Sequence, residues 1–151
     1  MFRRSDTIAS RLPLRIRGVS EPSIETSVRE SFTRQTFMSA LGARLMRVVP
    51  GEVDIALEFR GDLLQQSGTL HAGVLAAIAD SACGYAALSL MPAGSNVVSV
   101  EFKLNLLAPA TTSVLARARV LRAGRTLSVT SADVLAGETL VATMLATMMR
   151  R

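Results

Sequence analysis

The sequence predicts an α+β domain in which an antiparallel β-sheet wraps around one long central α-helix. Three observations carry this. From about Gly73 to Leu90 there is no proline, and most residues are good helix formers. From Val98 to Leu106, apolar and polar residues alternate with the period of a strand that has one apolar face. Turn signals at Ala123-Gly124 and Gly137-Glu138 divide the remaining C-terminal sequence into further strands. A sheet with one apolar face must be covered, and only one long helix is available to cover it.

Size and composition bound the rest. A chain of 151 residues is long enough for one domain with a proper core and short for two. A hydrophobic content of 49% argues against disorder. No membrane span is expected, because the long charge-free run Ser81–Val100 contains Gly84, Pro92, Gly94 and Asn96. Arg3 and Arg4 are not followed by an apolar stretch, unlike a secretory signal. The one cysteine, Cys83, excludes an internal disulfide and fits a reducing, cytoplasmic setting; among small helical residues it reads as packing. The net charge is +5, and Lys103 is the only lysine among the arginines. Such a surface suits anionic ligands such as nucleotide phosphates. The few aromatics are not interleaved with the arginines, which argues against nucleic acid.

In order, residues 1–27 read as a basic, mobile or loosely docked arm with Pro13, Gly18 and Pro22. Residues 28–151 read as a single domain. Phe32, Phe37 and Leu41 predict a short amphipathic helix from Glu30 to Leu41, ending at Gly42. Ala43–Val49 and Val53–Phe59 predict two strands about a Pro50-Gly51 turn. Arg60 to Gly68 is a polar loop feeding the central helix. Pro92, Gly94 and Ser95 end that helical region, and Ala108-Pro109-Ala110 stops the strand that follows. Val114–Arg122, Arg125–Leu135 and Thr139–Met149 complete a meander. No internal repeat is visible.

The central helix carries one carboxylate, Asp80. An acid there is costly unless it is paired, hydrogen-bonded or functional. The positions that share its side by helical spacing are Gly73, Ala76, Ala77, Cys83, Gly84 and Ala87, all small. Val74, Leu75, Ile78, Tyr85 and Leu88 lie on the other sides and offer a core. The small stripe is shaped for close approach by a neighbouring backbone, a partner subunit or a ligand.

Gly68-Thr69-Leu70-His71-Ala72-Gly73, followed by Asp80, resembles the signature of the hotdog-fold acyl-CoA thioesterases, in the phenylacetyl-CoA thioesterase-like branch. The usual form there is His-Gly-Gly followed by Ala-Asp; Ala72 stands in place of the first glycine. The resemblance continues through Val97–Pro109 and Gly124–Met148, and so covers about Ala43 to the C-terminus. It implies the hotdog fold and hydrolysis of an acyl-CoA to free acid and coenzyme A. It also implies homodimers with shared active sites, often paired into homotetramers, and no cofactor. No metal-ligand cluster is read from the sequence.

The candidate catalytic residues follow. Asp80 matches the acid that acts as general base or nucleophile; whether it activates water or attacks directly stays open. The Ala72 and Gly73 N–H groups, with the helix dipole behind them, suit a developing oxyanion. Gln65 matches an amide that holds the acyl group or water, although Gln66 is adjacent. His71, the only histidine, reads as a structural group beside a helix start more readily than as the base. Ser99 matches a supporting polar residue, yet its register with Glu101 and Lys103 equally fits an outward face. Arg122, Gly124, Arg125 and Thr126 surround a turn that resembles the coenzyme A channel of the family, where arginines pair with phosphates; a solvated hairpin tip is the plain alternative.

Two other classes share this fold: a non-catalytic acyl-CoA-binding regulatory module and a dehydratase. Asp80 favours the hydrolase over the first. The second calls for a histidine placed differently from His71.

Helix geometry adds a constraint. Asp80 lies two turns past Ala72, roughly 12 Å along the axis. A group attacking a carbonyl seated at the helix start must come within about 3–3.5 Å of it. One helix does not meet that demand with its own acid. Two helices related by a two-fold axis do.

Overall fold

The computed structural model describes residues 21–151, with side chains from residue 24 onward. The element order is α1 (Glu21–Thr33), α2 (Thr36–Leu41), β1 (Arg44–Val49), β2 (Glu52–Leu57), a short 3-10 turn at Gly61–Leu63, α3 (Ala72–Leu88), β3 (Val97–Leu106), β4 (Val114–Ala123), β5 (Leu127–Ala136) and β6 (Thr139–Arg150). The six strands form one antiparallel sheet in the order β1-β2-β4-β5-β6-β3. α3 packs on one face and touches β2, β3, β4, β5 and β6. This is the hotdog architecture that the sequence predicts.

The core lies between α3 and the inward face of the sheet. Leu75, Ile78, Ala82 and Ala86 of α3 meet Val53, Ile55, Ala116, Ala132, Val134 and Ala146, all buried. Small residues on both sides let the sheet curve closely round the helix. At its far end the helix is tied to the first hairpin. The Gly51 N–H donates to buried Ser89 Oγ at 2.8 Å, and Ser89 Oγ donates to the Ala86 carbonyl at 2.7 Å.

Two boundaries differ from expectation. Residues 1–20 of the basic arm lie outside the described residues, and its last part is helical, because α1 begins at Glu21 and runs through Ser27. The single helix expected from Glu30 to Leu41 is two, broken at Arg34-Gln35. α2 does end at Gly42, whose φ of 72° puts it in the left-handed region, where its N–H reaches the carbonyls of the last turn. Packing decides the rest of the early region. Val28 and Phe32 of α1 are buried, and the Phe32 ring meets Tyr85 of α3 edge-on, with centroids 5.7 Å apart. Burial of that face extends the helix past the proline-containing segment that reads as a loop in isolation.

β3 is displaced from its sequence neighbour β4 to the far edge beside β6. The connection between them crosses the start of α3, where the Leu70 N–H donates to the Ala110 carbonyl at 2.9 Å. Among the described residues the outer side of β3 is a free edge. Val100, Phe102 and Leu106 on it are 53%, 46% and 54% exposed.

Candidate active site

The start of α3 is built locally. His71 is extended and caps the helix, its Nδ1 accepting from the Gly73 N–H at 2.9 Å. The His71 carbonyl accepts from Val74 and Leu75. Of the N–H groups at this start, Ala72 alone has no acceptor among the described residues. A Cβ on Gly73 would lie 3.1 Å from His71 Nδ1, so the glycine leaves room for the cap.

The loop before the helix is equally local. The Gln65 N–H donates to the Thr69 carbonyl at 2.9 Å, and Gly68 N–H returns to the Gln65 carbonyl at 3.0 Å. Gln65 Nε2 donates to Ser67 Oγ at 2.9 Å and to Thr69 Oγ1 at 2.7 Å. Gln65, Thr69, Ala72, Leu106 and Pro109 line a cavity of about 460 Å³ at the helix start.

Asp80 is held differently. Its Oδ1 accepts from Ser99 Oγ, on β3, at 2.6 Å. The alternation of β3 sets Ser99 in line with Glu101 and Lys103, on the outward face, but a bulge between Ser99 and Glu101 interrupts that register. Ser99 pairs with buried Met148 and faces the helix, whereas Glu101 pairs with Thr147 and faces out. The outward reading of Ser99 is thereby corrected.

Asp80 opens into a cavity of about 310 Å³ whose wall includes Ser31, Arg34, Ser81, Gly84 and Tyr85. On its other side a second recess, about 350 Å³, runs toward Phe37 and Ala77. The accessible stripe of α3 therefore runs from Ala72, Gly73 and Ala76 at the helix start through Ala77, Asp80, Ser81 and Gly84 to Leu88. Cys83 and Ala87 are buried in the core instead, because the sheet curls round that side. Burial pushes the Cys83 thiol up to about 12, so it is protonated at neutral pH and makes no nucleophile.

The two groups of residues do not meet within one chain. Gln65 and Ala72 line one cavity, with His71 and Gly73 beside Ala72 in the chain but outside its lining, and Asp80 and Ser99 stand at another, two helical turns away. Arg122, Gly124, Arg125 and Thr126 form the exposed tip of the β4–β5 hairpin. The tip lies at the sheet end where β6 finishes, the Arg150 N–H donating to the Thr126 carbonyl at 2.9 Å. That is the opposite end from the start of α3. A Cβ on Gly124 would collide with the Leu127 carbonyl oxygen, so this glycine has a structural reason of its own.

Sequence reasoning missed Ser31, Arg34 and Asn96 on the wall of the Asp80 cavity; Tyr85 is in the core as expected and also lines that cavity. One signal was available. Tyr85 is the sole tyrosine, sits on an otherwise apolar helix, and carries a hydroxyl that needs a partner when buried. That partner is Ser31, 3.5 Å away.

A sheet curled on one helix, with an acid at mid-helix and an unoccupied N–H at its start, defines a hotdog-fold protein of the thioester-processing kind. The thioesterase superfamily matches residues 67–143. A thioesterase family protein from Silicibacter pomeroyi is 45% identical, and its structure aligns with a TM-score of 0.82 over 84% of this chain and 97% of that one. The phenylacetic acid degradation protein PaaI from Thermus thermophilus is 32% identical, with a TM-score of 0.72 over 78% of this chain and 100% of that one. The E. coli PaaI protein, 20% identical, shares the fold with a TM-score of 0.79 over 85% and 93% of the two chains. The chain belongs to the thioesterase superfamily and is a thioester hydrolase.

Proposed function

We propose that this chain hydrolyses an acyl-CoA to the free acid and coenzyme A, at a site shared between two copies. The carrying observation is the separation of the Ala72 N–H from the Asp80 carboxylate along α3, each at its own cavity. The thioester carbonyl of one site rests on the Ala72 N–H of one chain. The Asp80 of the other chain, oriented by its Ser99, takes a proton from water as the water oxygen attacks the carbonyl carbon. Alternatively the same carboxylate attacks directly and water releases the acyl group. In either case the carbon–sulfur bond breaks, and coenzyme A leaves as the thiol after protonation. Gln65, its amide nitrogen already donating within the loop, has its oxygen left to orient water.

A second copy has a place to attach. The free edge of β3 and its exposed Val100, Phe102 and Leu106 suit strand-to-strand pairing with a two-fold mate. Pairs of such dimers would make the tetramer. The hairpin arginines, Arg122 and Arg125, serve the phosphates of coenzyme A bound at the partner's helix start. No helix among the described residues is long and apolar enough to cross a membrane, and the single buried thiol fits the cytoplasm.

Complementation tests the shared site. Asp80→Asn removes the base. Ala72→Pro removes the N–H at a first helical position, where proline is tolerated and extended His71 already has the geometry that precedes proline. Each homodimer should be inactive in thiol release. Heterodimers of the two should recover about half the wild-type activity, one of two sites being intact. Verified heterodimers without recovery would mean that each chain carries a complete site.

A further inference from the structure

The cavity beside Asp80 is more polar than thioester hydrolysis requires. α1 packs mainly against β1, its Phe32 ring meets Tyr85 of α3, and its last turn lies at the cavity wall. The Tyr85 hydroxyl points there with Ser31 Oγ at 3.5 Å. Asn96, at the entry to β3, lines the same wall. Arg34 follows α1 directly, its backbone N–H donating to the Ser31 carbonyl at 3.2 Å. Its guanidinium joins none of the four ion pairs among the described residues. Arg34 lines the Asp80 cavity, the recess toward Phe37 and a third cavity of about 310 Å³ between α1 and residues 91–96. Glu30, one turn earlier, lines that third cavity and neither the Asp80 cavity nor the recess. An arginine that forms no ion pair among the described residues, set beside two hydroxyls and an amide, is chemically matched to a carboxylate.

We propose that the acyl group of the substrate ends in a carboxylate, which Arg34 binds while Tyr85, Ser31 and Asn96 complete its hydrogen bonds. The assignment rests on the Asp80 cavity being the acyl half of the thioesterase site. A methyl-ended chain filling this space would cover the hydroxyls and the guanidinium and give them nothing in return, which is costly. A terminal carboxylate satisfies them. It also reaches past Ser81 and Gly84, whose small side chains leave the passage along α3 open. Repulsion from Asp80 favours an acyl chain long enough to hold the two carboxylates apart.

Binding of non-hydrolysable thioethers of coenzyme A tests this without depending on turnover. A short straight chain ending in carboxylate is compared with the same chain ending in methyl, by calorimetry on the intact protein. The wild type should bind the carboxylate-ended analogue about tenfold more tightly. Arg34→Gln, at an exposed position that leaves folding intact, should bring the ratio near one, and Arg34→Glu should reverse it. Tighter binding of the methyl-ended analogue, binding of neither, or an unchanged ratio in Arg34→Gln would overturn the proposal. Thiol release from the two matching thioesters, measured on the same preparations, judges hydrolysis separately. Its absence would count against the thioesterase mechanism, while the binding ratio still decides the acyl assignment.

Discussion

The two ends of the accessible stripe on α3 are built in opposite ways. At the helix start, the His71 cap, the Gln65–Thr69 turn and the free Ala72 N–H come from one continuous segment and are fixed mainly by bonds within it. At Asp80, the acid comes from α3, its hydrogen-bond donor from β3, and the facing wall from the end of α1. The first region offers a backbone group, the Ala72 N–H. The second offers side chains assembled across the fold from α3, β3 and the end of α1.

Asp80→Asn sets this comparison at its most extreme. It keeps the size of the side chain and an oxygen for Ser99, so the thermal midpoint should stay near wild type. kcat in a thiol-release assay should fall by about 10²- to 10⁴-fold. Retained activity within tenfold would remove the acid from the mechanism. Ala72→Pro probes the opposite end. Loss of one oxyanion donor should lower kcat by about 10²- to 10³-fold, with far-ultraviolet dichroism unchanged. If Ala72→Val, which keeps the N–H, proves as damaging as proline, the side chain and not the backbone matters there, and the contrast fails.

Ser99→Ala separates positioning from chemistry. Removing the donor to Asp80 should cost about tenfold in kcat and leave KM nearly unchanged, since the bond orients the acid and does not hold substrate. An increase in KM alone would assign Ser99 to binding. The smallest effect belongs to the hairpin, which lies outside both regions. Arg125→Ala should raise KM for an acyl-CoA about threefold to tenfold, as expected for an exposed phosphate contact, and leave a short thioester without the nucleotide unaffected. Equal loss on both substrates would make the hairpin a structural element.

Legibility in the sequence followed the same division. The central helix, all six strands and the turn at Gly42 were readable, because each is written in local periodicity or turn chemistry. At the helix start the expectation of two free N–H groups, Ala72 and Gly73, is corrected to one, because His71 Nδ1 accepts from Gly73. The stripe about Asp80 was readable only in part: helical spacing put Cys83 and Ala87 beside the acid, but the curl of the sheet buries both. β3 shows the limit most plainly. Its alternation is strict, yet one bulge turns Ser99 inward while Glu101 and Lys103 stay outward. A bulge inserts one residue without changing the pattern of residue types, so periodicity does not report it. The early helix failed in the other direction, since Pro22 and the nearby charges hide a helix that is held by Val28 and Phe32 against the core.

What the sequence by itself determined is the set of parts: one long helix with an acid at its middle, a cap and a free N–H at its start, and strands enough to wrap it. Those are properties of residues a few positions apart, where propensity, spacing and hydrogen-bonding capacity act directly. Only the tertiary structure decided that β3 leaves its neighbour for the far edge, that Ser99 turns toward Asp80, and that Ser31 and Arg34 reach the cavity that Asp80 and Tyr85 line. Each joins residues distant in sequence: Ser99 stands 19 positions from Asp80, and Ser31 stands 54 from Tyr85. Such pairs form because burying the apolar faces of α1 and the sheet brings them together, a consequence of packing that no local pattern encodes.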